Sequence, residues 1–269
     1  MENKGKNDQR SLLVSVTSGK GGVGKTMIVV NLASLLAETG RRVLVMDCDL
    51  GLANVDVLLG LNPAYTMNDV LEGRRKIEEI VVQTSLGFDV LPAASGIVSL
   101  AEISAEEQGE LMAALRTLLD RYSLALLDTG AGVSSPVLRF NRAAHKNIIV
   151  LTPEPTSVTD AYALIKLLRP RLADGRIHLL VNMVQNGEEG RRVVDNLCQT
   201  VERFLSCSLS CLGHVVTDRV VRRSVLARLP FVKGHPDAPA TVCLRAIAEQ
   251  VLAWEPEGEA DPLNHLIRP

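Results

Sequence analysis

Short runs rich in Val, Ile and Leu recur along the chain at 12–17, 43–47, 88–92, 124–128, 147–152, 178–182 and 210–215. They are nearly continuous in apolar residues rather than alternating, the pattern of strands buried on both faces. Longer runs with apolar residues at helical spacing lie among them, at 25–38, 106–122, 157–169, 190–204 and 239–254. In the second of these, Leu111, Leu115, Leu118 and Leu119 share one helical face. This alternation predicts an α/β fold: a doubly wound, mostly parallel sheet with helices on both faces. No internal repeat or long linker divides it. The expected organisation is a polar N-terminal tail over residues 1–11, one domain over 12–254 and a C-terminal tail over 255–269, where three prolines and several acids gather.

The 269 residues are 46% hydrophobic and 22% charged, which excludes a disordered chain and gives enough apolar surface for a core without metal or disulfide staples. Lys and Arg number 29 against 31 Asp and Glu, a net charge of −2, so no specific nucleic-acid partner is expected. The five cysteines, Cys48, Cys198, Cys207, Cys211 and Cys243, form no Cys-x-x-Cys pair and read as thiols in a reducing compartment. The first ten residues are polar, without a signal-peptide core, and no apolar run approaches the length of a membrane span. A cytoplasmic location is expected, with at most peripheral contact at the inner face of the cell membrane.

The first strand leads into Ser18-Gly19-Lys20-Gly21-Gly22-Val23-Gly24-Lys25-Thr26, and a helical run follows at once. Gly19-xxxx-Gly24-Lys25-Thr26 is a phosphate-binding loop in its strand–loop–helix setting. Glycines let successive N–H groups turn toward phosphate oxygens, and the helix N-terminus adds its positive end. Lys25 is expected on the β- and γ-phosphates, and the Thr26 hydroxyl on Mg²⁺. Gly19, Lys20, Gly21, Gly22, Val23, Gly24, Lys25, Thr26 and Met27 are thus candidate nucleotide contacts. The alternative, a glycine-rich turn carrying Lys-Thr by chance, does not explain the setting. The second strand runs into Asp47-Cys48-Asp49. Alternate strand residues share a side, so both carboxylates can face the phosphates at the sheet's carboxyl edge. Asp128 ends another apolar strand and suits Mg²⁺ held through water.

The string Lys20-Gly21-Gly22-Val23-Gly24-Lys25-Thr26 resembles the deviant Walker A motif of the MinD/ParA superfamily of ATPases. The resemblance implies ATP and Mg²⁺ as cofactors and an ATP-dependent homodimer, in which Lys20 reaches the partner's phosphates. It implies catalytic roles for Lys20, Lys25 and Asp49, the last orienting the attacking water, with Asp47 near Mg²⁺ and residues 129–132 as a second switch. Asn182 resembles the adenine-contacting asparagine of the family. Asn-Lys-x-Asp GTPases place an aspartate where Gln185 stands, so ATP is favoured over GTP. Asp218 follows strand 210–215, where the family often has Pro-x-Asp; here Val216-Thr217-Asp218 lacks the proline.

The strings at 49–56, 91–96, 128–133 and 152–162 resemble the flagellar-number branch of that superfamily, the FlhG or FleN type. This implies a dimerising switch with slow ATP hydrolysis that regulates flagellar number and placement, with the GTPase FlhF and C-ring components as partners. Asp8-Gln9 is followed by Arg10-Ser11, where many members have Leu-Arg. Leu263, Leu266 and Ile267 would share one face of a short helix, offering a weak membrane contact. Septum-site MinD and ParA-type partitioning ATPases are the alternatives. The latter would want a basic surface, to which Arg191, Arg192, Arg219 and Arg223 would contribute.

Overall fold

The computed structural model describes residues 10–49, 54–92, 104–256 and 263–267. Asp8-Gln9 and the family-like strings at 50–53 and 93–96 lie outside them. Eight strands form one sheet: β1 (Leu12–Ser18), β2 (Val43–Cys48), β3 (Val82–Gln83), β4 (Asp89–Leu91), β5 (Leu124–Ala131), β6 (Lys146–Leu151), β7 (Ile177–Val184) and β8 (Ser210–Val216). Their order is β3-β4-β2-β5-β1-β6-β7-β8. Every neighbour is parallel except β3, which runs antiparallel to β4 at the edge. β1 lies between β5 and β6, where the winding changes direction. Such a sheet opens a ligand crevice at that point, beyond the strands' carboxyl ends.

The continuous apolar strands feed two faces. Val43 and Val45 of β2 and Leu124 and Leu126 of β5 enter one core, with Leu32 and Leu36 of α1 (Lys25–Glu38) and Leu244 and Val251 of α10 (Pro239–Leu252). Leu44, Met46, Ala125 and Leu127, the residues between, enter the opposite core under α4 (Ala105–Leu119) and α5 (Ser135–Ala143). Farther along that face, Ile149, Leu151, Leu179 and Val181 meet α6 (Pro155–Leu168) and α7 (Gly187–Leu205).

The helix ends follow local chemistry. α4 begins where Ser104 and Glu107 form a reciprocal capping box. α6 starts at Pro155, two residues before the apolar pattern, because proline suits the first helical position. α7 is capped by Asn186, which accepts from the Glu189 N–H at 3.0 Å. Among the described residues, five short helices, α2 (Asn54–Leu59), α3 (Met67–Leu71), α8 (Arg219–Ala227), α9 (Phe231–Gly234) and α11 (Asn264–Ile267), complete the α-helices.

α11 packs on α5, with Leu263 and Leu266 buried in the core that α4 and α5 cover. Arg116 donates to the Asn264 side-chain oxygen at 3.1 Å. Two residues that sequence grouped into a membrane-facing stripe therefore cover the protein's own interior. Among the described residues no helix is long and apolar enough to cross a membrane.

Two histidines are built in uncharged. His145 Nδ1 accepts from the Leu13 N–H at 2.9 Å, and the His178 ring lies 4.4 Å from that of Trp254. Burial, before any nearby charge, lowers both pKa values from 6.5 to about 4. Below pH 6.5 the unfolded chain takes up protons that the folded one refuses, so stability present at neutral pH is lost between about 6.5 and about 4. The urea midpoint should fall between pH 7 and pH 5, and His178→Phe should remove part of that fall.

Candidate functional site

The phosphate loop is clamped at both ends. Gly19 lies against the backbone of α6: a Cβ there would drive into the Asp160 carbonyl. Gly24, with φ at 90°, caps α1, and a Cβ on it would lie 2.5 Å from the Asn182 side-chain nitrogen. Asn182, 7% exposed at the end of β7, donates that nitrogen to the Val23 carbonyl at 2.8 Å. Gly21 and Gly22 are exposed at the loop's tip and Val23 is buried beneath it. Met27 leans into the core behind.

The two lysines have different surroundings. Lys25 is buried at the start of α1; burial lowers its pKa against the opposing pull of Asp128 and Asp49. Lys20 is turned outward to α6. Its ammonium donates to Glu154 at 2.5 Å and to the Thr156 hydroxyl at 3.0 Å.

Three carboxylates converge on the same edge. Asp47 is buried, and its oxygens accept from the N–H groups of Asp49 and Val55, both at 3.2 Å. It therefore also fixes the turn into α2. Burial raises its pKa to about 6. Asp128 is 1% exposed; burial is the main cause raising its pKa to about 7, over the opposing pull of Thr26 and Lys25. Neither of its oxygens meets a donor at hydrogen-bond geometry. Asp49 accepts from Asn54 at 3.2 Å. Cys48, between two of the acids, has its thiol pushed well up by burial and stays protonated.

Those orphaned oxygens fit a divalent cation. Among the described residues no three His, Cys, Asp or Glu side chains form a self-sufficient metal cage. Mg²⁺ suits such a place, since it commonly takes one or two protein ligands and draws the rest from phosphates and water. Asp128 and Thr26 would hold it, and Asp47 stands one strand away, paired with Asp128 across β2 and β5.

Asp218 sits apart from this group in its visible bonding. It is the N-cap of α8, accepting from Val220 N–H at 3.0 Å and Ala240 N–H at 3.3 Å. Sequence reasoning singled out neither Glu154 and Thr156, which hold Lys20, nor Asn54, which holds Asp49. Their only sequence signal was membership of strings following a strand end.

The chain matches the model of the CobQ/CobB/MinD/ParA nucleotide binding domain over residues 14–231. It is 41% identical to the antiactivator FleN of Pseudomonas aeruginosa, over 94% of this chain and 90% of that protein. It is 34% identical to the flagellum site-determining protein YlxH of Helicobacter pylori, over 88% of this chain and 79% of that one. Among solved structures, the septum site-determining protein MinD of Pyrococcus horikoshii, complexed with Mg-ADP, superposes with a TM-score of 0.71 at 27% identity, covering 90% of this chain and 96% of the other.

At Asp128 burial outweighs the pull of Thr26 and Lys25, so its charged form opposes folding. Asp128→Asn should therefore raise Tm in the absence of Mg²⁺ and nucleotide, and should abolish the further rise that Mg-ATP gives the wild type. Gly19→Ala should lower Tm by several degrees, because the loop must move off the α6 backbone; thermal scans check both.

Proposed function

The chain belongs to the CobQ/CobB/MinD/ParA nucleotide-binding family, and from that premise we propose that it is a dimerising ATPase switch that regulates flagellar number and placement. The observation that carries the switch reading is the separate placement of the two loop lysines. Lys25 lies inside its own loop among carboxylates, whereas Lys20 is held outward by Glu154 and Thr156. A cation on the loop but turned off it is available to a second copy. In the proposed dimer Lys20 leaves Glu154 for the partner's phosphates, so hydrolysis waits for dimerisation.

Each protomer then contributes its own parts. The loop amides and Lys25 bind the β- and γ-phosphates. Asp49, steadied by Asn54, orients the attacking water and accepts its proton as the bond to the γ-phosphorus forms and that to the β–γ bridging oxygen breaks, releasing ADP and phosphate. Thr26 and Asp128 would hold Mg²⁺, which would supply positive charge against the phosphates. Asn182 meets the base, and Gln185, in place of a carboxylate, favours adenine over guanine. Asp218, as the cap of α8, holds the neighbouring backbone for that contact. Turnover is slow beside metabolic kinases, because positioning is complete only in the dimer.

The flagellar assignment draws on the likeness to FleN and YlxH across most of the chain. FlhF and C-ring components are the proposed partners. A peripheral membrane contact through residues 255–269 would require Leu263 and Leu266 to leave the core they now fill.

Asp49→Ala should keep ATP affinity, accumulate as an ATP dimer on size exclusion and lose hydrolysis by about a hundredfold or more. Lys20→Ala should bind ATP within a few-fold of wild type yet hydrolyse almost none. Wild-type turnover by Lys20→Ala would contradict the assignment. In the source organism, loss of the gene should give extra or misplaced flagella, restored by wild type but not by Lys25→Ala. Normal flagella with misplaced septa would move the protein to the MinD reading.

A further inference from the structure

α8 buries little of itself. Of its nine residues only Ser224 is buried; Val220 and Val221 are half-buried against the core beneath α1. From Val225 to Leu229 every residue is exposed, so the helix ends in a convex turn. Leu226 is 81% exposed, with Val225 at 45% and Leu229 at 41% beside it. Val57 of α2, 76% exposed, joins this surface. Gly60, whose N–H bonds the Val57 carbonyl, lies under Arg228: a Cβ on it would come within 2.7 Å of that side chain. The first turns of α8 are basic. Arg219, Arg222 and Arg223 are exposed at helical spacing, so like charges face one another. They stand toward the positive end of the helix, and its first turn holds no acid. Asp218, the N-cap, is taken up by the N–H groups of Val220 and Ala240. Among the described residues no carboxylate pairs with the three arginines.

Like charges at the positive helix end and apolar side chains in water both cost stability, and one partner relieves both. We propose that this α2–α8 face is a peripheral membrane contact, in which Arg219, Arg222 and Arg223 meet the phosphates of anionic lipids and Leu226 enters the acyl boundary with its apolar neighbours. The guanidinium fork matches phosphate oxygens, and arginine stems lie along apolar surface with their charge at the interface. Convexity favours a bilayer, which yields around a protruding side chain. A protein would need a matching groove, and DNA would leave Leu226 in water. The apolar residues of the C-terminal tail are not free for this contact, since Leu263 and Leu266 fill the core. One short apolar turn anchors weakly and reversibly, and a second copy bound to the first would multiply the affinity. This contact is independent of the nucleotide reading above.

The test is sedimentation of the full chain with vesicles of phosphatidylcholine alone and of phosphatidylcholine mixed with phosphatidylglycerol. Wild type should pellet with the anionic vesicles and stay in solution with the neutral ones. The double variant Arg222→Gln, Arg223→Gln should weaken binding roughly twentyfold, and Leu226→Gln about tenfold. Both should keep the wild-type Tm, because these side chains are exposed. Leu226→Trp should still bind, and its fluorescence should shift to the blue on anionic vesicles beyond any change that Trp254 gives in the wild type. No pelleting of wild type with anionic vesicles would overturn the proposal and leave the face to a protein partner. Pelleting that the arginine and Leu226→Gln variants leave intact would also overturn it, placing the contact elsewhere in the chain. A short DNA duplex is the third probe. Retention of DNA that the arginine variant loses and Leu226→Gln keeps, without vesicle binding, would assign the face to nucleic acid and overturn the membrane contact.

Discussion

Buried charge at the carboxyl edge of the sheet is the constraint around which this molecule is arranged. Asp47 and Asp128 sit on adjacent strands, sealed from water, with Asp49 just beyond and Lys25 buried beside them. One lysine faces three carboxylates. Burial outweighs every local attraction at Asp47 and Asp128 and raises both pKa values, so holding either group charged is costly without a further cation. A site of this kind is completed by incoming cations. In the proposed dimer Mg²⁺ would supply one and a lysine from a second copy another, against the further negative charge that a triphosphate brings. The proposed dependence on metal and partner would then follow from one shortage of positive charge.

The fold positions that shortage and connects it outward. β1 lies at the point where the winding changes direction, and its loop is braced by α6 through Gly19 and by β7 through Asn182 and Gly24. Asp47 ties β2 to the first turn of α2, and Asp218 ties α8 to α10. Asp47 thus also fixes the entry of a helix, and a change in its charge or ligation has a mechanical path to α2. The proposed switch would be two arrangements of the same helices, biased by charge at their ends.

Much of this was legible in the sequence. Strands buried on both faces read as continuous Val, Ile and Leu, and all seven expected strands are present. The phosphate loop was legible because its glycines, lysine and threonine act through backbone geometry at fixed spacing. Asp128 was legible because four apolar residues lead into it, although β5 runs on past it to Ala131. What sequence hid depends on tertiary approach. Lys20 and Glu154 lie 134 positions apart, and no local pattern joins them. β3 has two residues, too few for a period. Leu263 and Leu266 looked like a surface stripe because helical spacing reports a common face and not what that face meets.

The central claim is that Lys20 serves the partner's nucleotide. Lys20→Ala and Asp49→Ala are each expected to be inactive alone. Mixed in equal amounts with ATP, they form dimers in which the Lys20→Ala protomer keeps its own Asp49 and receives Lys20 from the other. Random pairing makes half of the dimers mixed, with one working site of two, so the mixture should recover about a quarter of wild-type hydrolysis. A mixture as inactive as its components, with mixed dimers present, would show that Lys20 acts on its own loop and would contradict the account.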